Sequence, residues 1–143
     1  MHPAYRRWPV NTVLANGCFD VLHQGHIWHL EAARAMGDRL IVSLTVDEYV
    51  NKGPGRPLMS WHERATILRA LRCVDMVIPT RNAVDAIRTV RPTIFVKGID
   101  YSNDDKWGED VRAACQQSGA ELRFTYTPKM GSGDIVQKAK ALP

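Results

Sequence analysis

The sequence predicts a three-layer α/β/α fold around a five-stranded parallel sheet. Short runs rich in Val, Ile and Leu recur along the chain, amphipathic stretches of helical period separate them, and glycines, prolines and capping residues fall at the junctions. The first run, Thr12 to Asn16, reads as a strand leading into a helix from Gly25 to Met36, with Gly37 placed where a left-handed cap is wanted. A second strand, Arg39 to Val46, precedes the chain's one Gly/Pro cluster, Lys52-Gly53-Pro54-Gly55-Arg56-Pro57, expected to be a mobile loop. Ser60-Trp61-His62-Glu63 has the form of a capping box and opens a helix from Trp61 to Leu71. A strand from Asp75 to Pro79 and a helix from Val84 to Val90, ended by Pro92, come next. Then follow a strand from Thr93 to Lys97, a helix around Glu109 to Gln117 closed by Gly119, a strand from Glu121 to Tyr126, and a helix from Asp134 to Ala141. No repeat, low-complexity stretch or linker interrupts the 143 residues, and one domain is expected.

Composition narrows the function. The net charge is +4, but lysine and arginine are dispersed, which suits an anionic small molecule and implies no nucleic-acid stripe. Cys18, Cys73 and Cys115 are odd in number and widely spaced, so neither a disulfide framework nor a zinc site is expected, and a reducing cytoplasm is the simplest home. No apolar run approaches the ~20 residues of a membrane span, and the N-terminus lacks a secretory pattern. The missing G-x-G-x-x-G after the first strand argues against a nicotinamide dehydrogenase, and the missing G-x-x-x-x-G-K-[ST] against a P-loop kinase.

The chemistry concentrates where the first strand meets the first helix, in Asn16-Gly17-Cys18-Phe19-Asp20-Val21-Leu22-His23-Gln24-Gly25-His26. In open parallel sheets, ligands bind at the carboxyl ends of the strands. A helix N-terminus adds unpaired N–H groups and a positive dipole end suited to phosphate. Gly25 lets backbone approach an anion closely, and His23 and His26, three apart, place two imidazoles on one side of the helix start. Two such donors supply the positioning and charge neutralisation that phosphoryl and nucleotidyl transfer mostly require.

The stretch G-x-F-D-x-x-H-x-G-H, from Gly17 to His26, resembles the signature of the cytidylyltransferase-like nucleotidyltransferases, distantly akin to the HIGH motif of class I aminoacyl-tRNA synthetases. The likeness runs on through Gly37 to Val42, the Lys52 to Pro57 cluster, His62-Glu63-Arg64, Val74-Asp75 and Val96-Lys97-Gly98-Ile99-Asp100-Tyr101. Within that superfamily the G-P-G-R-P and V-K-G-x-D-Y stretches are most similar to the adenylyltransferases of ADP-heptose synthesis, and next to the glycerol-3-phosphate cytidylyltransferases.

The resemblance implies a Rossmann-like fold of the HUP type. It also implies transfer of a nucleoside monophosphate from ATP or CTP to a phosphorylated sugar or polyol, heptose 1-phosphate foremost, with Mg2+ accompanying the triphosphate. Homodimers are common among such enzymes. Residue by residue, it implies that His23 and His26 hold the α- and β-phosphates, that Asn16, Gly17, Cys18, Phe19 and Gly25 form the turn around the nucleotide, and that Asp20 organises its phosphate end. It likewise implies that Lys52 or Arg56 neutralises phosphate, that Arg64 faces phosphate or acceptor, and that Lys97, Gly98 and Asp100 lie near the nucleotide's sugar or base. Where the family carries G-x-S-T-T before the last helix, this chain has Pro128-Lys129-Met130-Gly131-Ser132-Gly133-Asp134. That stretch lacks both threonines but keeps the cation Lys129, flexible Gly131, the hydroxyl of Ser132 and a following helix N-terminus. Lys129-Met130-x-Ser132 is also similar to the KMSKS loop of class I synthetases.

Ordinary roles compete with these. Asp20 is a natural helix N-cap, Arg64 fits a helix-surface ion pair, and His29, His62, Trp28, Trp61 and Trp107 suit structural positions. The cysteines read as inert. The leading reading is an enzyme. Its rival is a nucleotide-binding sensor without turnover, motivated by the altered last loop.

Overall fold

The computed structural model describes residues 10–98, 105–126 and 131–143, with residues 105–107 described by backbone alone. Five strands form one parallel sheet in the order β3-β2-β1-β4-β5: β1 (Thr12–Gly17), β2 (Arg39–Thr45), β3 (Met76–Thr80), β4 (Ile94–Gly98) and β5 (Glu121–Thr125). Five helices connect and follow them: α1 (Gln24–Arg34), α2 (Trp61–Arg69), α3 (Ala83–Val90), α4 (Asp105–Ser118) and α5 (Ser132–Lys140).

Strict alternation along the central strands distributes the helices over two faces. Val13 and Ala15, with Leu40, Val42, Leu44, Ile94 and Val96, meet Leu30 and Ala33 of α1 and Ala65 and Leu68 of α2. Leu14, Ile41 and Phe95 point the other way, onto Ala86 and Ile87 of α3 and Val111 and Ala114 of α4. β1 has β2 on one side and β4 on the other, so strand order reverses beside its carboxyl end, at Gly17. That switch point is where an open α/β sheet offers a crevice.

The predicted punctuation holds in most places. Ser60 and Glu63 form a reciprocal capping box on α2, Gly119 adopts φ +76 after α4, and α3 ends ahead of Pro92, with Arg91 as its left-handed cap at φ 50. Gly37 is a correction. It is not left-handed; a Cβ there would lie 2.6 Å from the Asn11 carbonyl oxygen, so the glycine permits close packing of the loop on β1. Helix α4 begins at Asp105, four residues ahead of Glu109, and a short 3-10 turn, Asp47–Tyr49, separates β2 from the Gly/Pro loop. No helix among the described residues is long and apolar enough to cross a membrane.

Candidate active site

The carboxyl end of β1 is held from several directions. Ser43 on β2 donates to Asn16 Oδ1 at 2.8 Å, and Lys97 Nζ on β4 donates to the Asn16 carbonyl at 2.7 Å. Thr45 Oγ1 donates to the Gly17 carbonyl at 3.3 Å, and Arg64 of α2 donates to the Cys18 carbonyl at 2.8 Å. The chain then turns through Phe19 at φ 47 and Val21 at φ 66. A β-branched residue in that region is a genuine outlier, costing of order 1–3 kcal/mol, and such positions cluster at functional turns. Gly17 makes room for this turn, because a Cβ there would sit 2.9 Å from the Phe19 ring.

The N-cap of α1 is His23, not Asp20. His23 Nδ1 accepts the Gly25 N–H at 3.1 Å, and His26 Nδ1 accepts the His23 N–H at 3.2 Å, so two imidazoles build a capping box usually made by hydroxyls and carboxylates. With both Nδ1 atoms accepting, the proton of each neutral ring resides on Nε2. The rings stack with centroids 3.8 Å apart and 23° between planes, and Phe19 meets His26 edge-on at 5.1 Å. His23 Nε2 is buried and has no hydrogen-bond partner. A helix N-terminus with a free buried donor beside it is chemically suited to receive an anion.

The electrostatics keep these rings neutral in the free protein. Burial, assisted by the adjacent His23 and by Lys52, pulls the His26 pKa down to about 3. Burial and Lys52 also lower that of His23, against an opposing pull from Asp134. Lys52 is exposed on its loop, yet its charge reaches both imidazoles. Lys97 is buried, and desolvation lowers its pKa to about 8, with Lys52 adding to the effect.

The remaining predicted residues divide. Asp20 is fully buried; it accepts Arg56 Nε at 2.6 Å and the N–H groups of Leu58 at 2.8 Å and Met59 at 3.0 Å. Burial alone would raise its pKa, but these donors outweigh it and the carboxyl is held below the usual range. Asp20 thus fastens the Gly/Pro loop to the turn and caps no helix. Arg56 also reaches Ser132 Oγ at 3.1 Å, at the start of α5, where Gly131 is the N-cap.

Arg64 corrects the expectation of a helix-surface position: it is 1 % exposed, donates to the carbonyls of Met59, Cys18 and Thr45, and forms its ion pair with Asp47 Oδ1 from within the fold. Gly25 is buried in the first turn of α1, and Gly98 closes β4. Asp100 and Lys129 lie outside the described residues.

His29, expected in a structural position, is half-buried with its Nδ1 2.6 Å from Thr125 Oγ1 at the carboxyl end of β5. Burial, with Lys97 contributing, holds its pKa down to about 4. The i, i+3, i+6 spacing of His23, His26 and His29 was the available signal, but only the pairing of β4 with β5 brings Thr125 to it. Trp61 packs on the core and donates to the Leu44 carbonyl at 2.9 Å, while His62 is exposed.

Comparison with known proteins adds three findings. Residues 14–130 match the model of the cytidylyltransferase-like family. The chain is 48% identical over 106 residues to the bifunctional protein HldE of Pseudomonas fluorescens strain Pf-5, covering 71% of this chain and 22% of that protein. It is 46% identical over 131 residues to that of Methylobacillus flagellatus, covering 88% and 26%. The chain therefore spans about a quarter of the length of these relatives. Among solved structures, a lipopolysaccharide core biosynthesis protein from Thermoplasma volcanium superposes with a TM-score of 0.71 at 22% identity, covering 84% of this chain and 99% of that one. Pantoate-beta-alanine ligase from Francisella tularensis, complexed with beta-gamma ATP and beta-alanine, gives 0.64 at 14% identity, covering 91% and 64%. At such identities these two likenesses speak to the fold.

Proposed function

From the premise that the chain belongs to the cytidylyltransferase-like family of nucleotidyltransferases, we propose that it transfers a nucleoside monophosphate to the phosphate of a sugar, with heptose 1-phosphate as acceptor and ATP as donor. The observation that carries this reading is the buried, unpartnered Nε2 of His23, stacked beside His26 at the N-terminus of α1. The identity to the HldE proteins supports the acceptor.

In the proposed reaction an acceptor phosphate oxygen attacks the α-phosphorus in line, a new P–O bond forms, and the bond to the bridging oxygen breaks to release pyrophosphate. No side-chain nucleophile is needed. His23 and His26 donate from Nε2 as neutral imidazoles to oxygens that gain charge as the bond to pyrophosphate stretches. The N–H groups of α1 and the ammonium of Lys52 neutralise the same charge. A Mg2+ ion accompanying the triphosphate would add to this neutralisation. Among the described residues no group of three or more His, Cys, Asp or Glu side chains is arranged to hold a metal. Asp134 is the carboxylate whose charge opposes the lowering of the His23 pKa. In this scheme Asp20, Arg56 and Arg64 shape the site and do not touch substrate.

Pyrophosphate release with ATP and CTP, each against heptose 1-phosphate and glycerol 3-phosphate, tests the reading. Turnover with ATP and the heptose phosphate is expected. Turnover with CTP and glycerol 3-phosphate alone would reassign donor and acceptor, and tight nucleotide binding with no turnover for any pair would overturn the enzyme reading.

A further inference from the structure

We propose that Arg56 is a positioning residue: it binds no phosphate itself, but pins the Lys52 loop and the start of α5 to the turn that carries the two histidines. Three separate segments meet on its guanidinium. Nε donates to Asp20 Oδ2 at 2.6 Å, and Nη2 is shared between the Asp20 carbonyl at 3.3 Å and Ser132 Oγ at 3.1 Å. The Arg56 side chain is 10% exposed and that of Asp20 not at all, so the pair is desolvated, and two of the three guanidinium nitrogens are committed within the protein. A planar fork spans two acceptors in this way; a single ammonium cannot.

The loop gives Arg56 its leverage. Between Lys52 and Arg56, Gly53 and Gly55 take φ 95 and 78 in open space, where even an added Cβ would meet nothing within 4 Å. Residues 51 to 55 are exposed, and the Arg56 N–H to the Gly53 carbonyl at 3.4 Å is their one internal hydrogen bond among the described residues. The first fixed point after Lys52 is therefore Arg56, followed by the Leu58 and Met59 amides on the same Asp20 carboxylate. Asp20 lies three residues before His23, and Ser132 two before Asp134. The charges that act on His23 come from both segments that Arg56 ties down, Lys52 from the loop and Asp134 from α5. One ion pair thus sets the register between the histidines, the loop cation and a second helix N-terminus.

The inference rests on the nucleotidyl-transfer reading for its purpose, and its test separates the two. Inorganic tripolyphosphate is titrated calorimetrically into the full chain and into K52A, R56Q and the double variant. If Arg56 acts through Lys52, each single change weakens binding by about tenfold, the scale of one lost contact, and R56Q costs nothing further once Lys52 is gone. Losses that multiply would mean that Arg56 acts independently of Lys52, by meeting the phosphate itself or by a general loosening of the fold, and an R56Q affinity equal to that of the unaltered chain would remove its role; either overturns the proposal. Should R56Q not fold, R56K keeps a cation opposite Asp20 without the fork and carries the same cycle.

Limited trypsin digestion without ligand reads the clamp by itself: cleavage after Lys52 should accelerate at least tenfold in R56Q or R56K, and unchanged cleavage would refute it. Failure of the unaltered chain to bind tripolyphosphate would count against the proposed function, while the trypsin result would still decide the clamp.

Discussion

The imidazoles of His23 and His26 lie face to face, 3.8 Å apart, and each spends its Nδ1 on a backbone N–H at the start of α1, His23 on that of Gly25 and His26 on that of His23. Structural capping and ligand binding are therefore divided between the two nitrogens of each ring. Replacing His26 by Ala should cost only about 1 kcal/mol of stability, the worth of a lost cap. The rate of nucleotidyl transfer should fall by two to three orders of magnitude, the usual loss for a preorganised oxyanion donor. Urea unfolding and pyrophosphate release measured on one preparation would check both, and a near-normal rate would rule out the assignment.

Gly17→Ala separates shape from chemistry in the same turn. The new methyl would collide with Phe19, whose ring packs edge-on against His26. The ring can swing away at a stability cost of about 1–3 kcal/mol, but His26 then loses its wall. Nucleotide affinity should fall by more than the melting point suggests, and a variant with wild-type Kd would show that Phe19 is irrelevant to the cradle.

Arg64→Met tests the reassignment of that arginine. Removing the guanidinium leaves three backbone carbonyls and Asp47 without their donor, and the loss should be about 3–5 kcal/mol in chemical unfolding. A fully stable variant with weakened phosphate binding would restore the ligand-facing role.

Acid should unfold the protein through its histidines. His26 and His29 have folded-state pKa values pulled down to about 3 and about 4, below the unfolded value of 6.5. Between those limits the unfolded chain binds protons that the native one refuses, so stability is complete above pH 6.5 and declines as pH falls. Each histidine contributes a slope of about 1.4 kcal/mol per pH unit. Asp20, held below its ordinary 3.8, adds a further loss beneath that value. Denaturant midpoints at pH 7.5, 5.5 and 4.5 would reveal the slope, and equal midpoints would contradict it.

The strands were legible because a parallel sheet covered on both faces leaves near-continuous apolar runs, and all five appear within one or two residues of their expected bounds. The histidine pair was legible because its spacing and its helix start are both local. Gly37 was misread because a glycine required by φ and one required by crowding are identical in sequence. Arg56 and Arg64 carried the same ambiguity, since a cation inside a motif does not say whether its partner is a phosphate or a carbonyl of its own chain. Apart from Met59, five residues before Arg64, their partners lie 17 to 76 residues away, beyond any local pattern. The His29 contact spans 96 residues and depends on strand order, which no window of sequence contains.

Each peptide carbonyl from Asn16 to Cys18 is tethered to a different piece of the molecule, that of Asn16 to β4, that of Gly17 to β2 and that of Cys18 to α2. The turn consequently behaves like a keystone whose seat is set by stones it does not belong to. Random mutagenesis screened for catalytic defects should therefore yield hits scattered over β2, β4 and α2, far from any nucleotide, and those hits should be repairable by second changes within the turn itself.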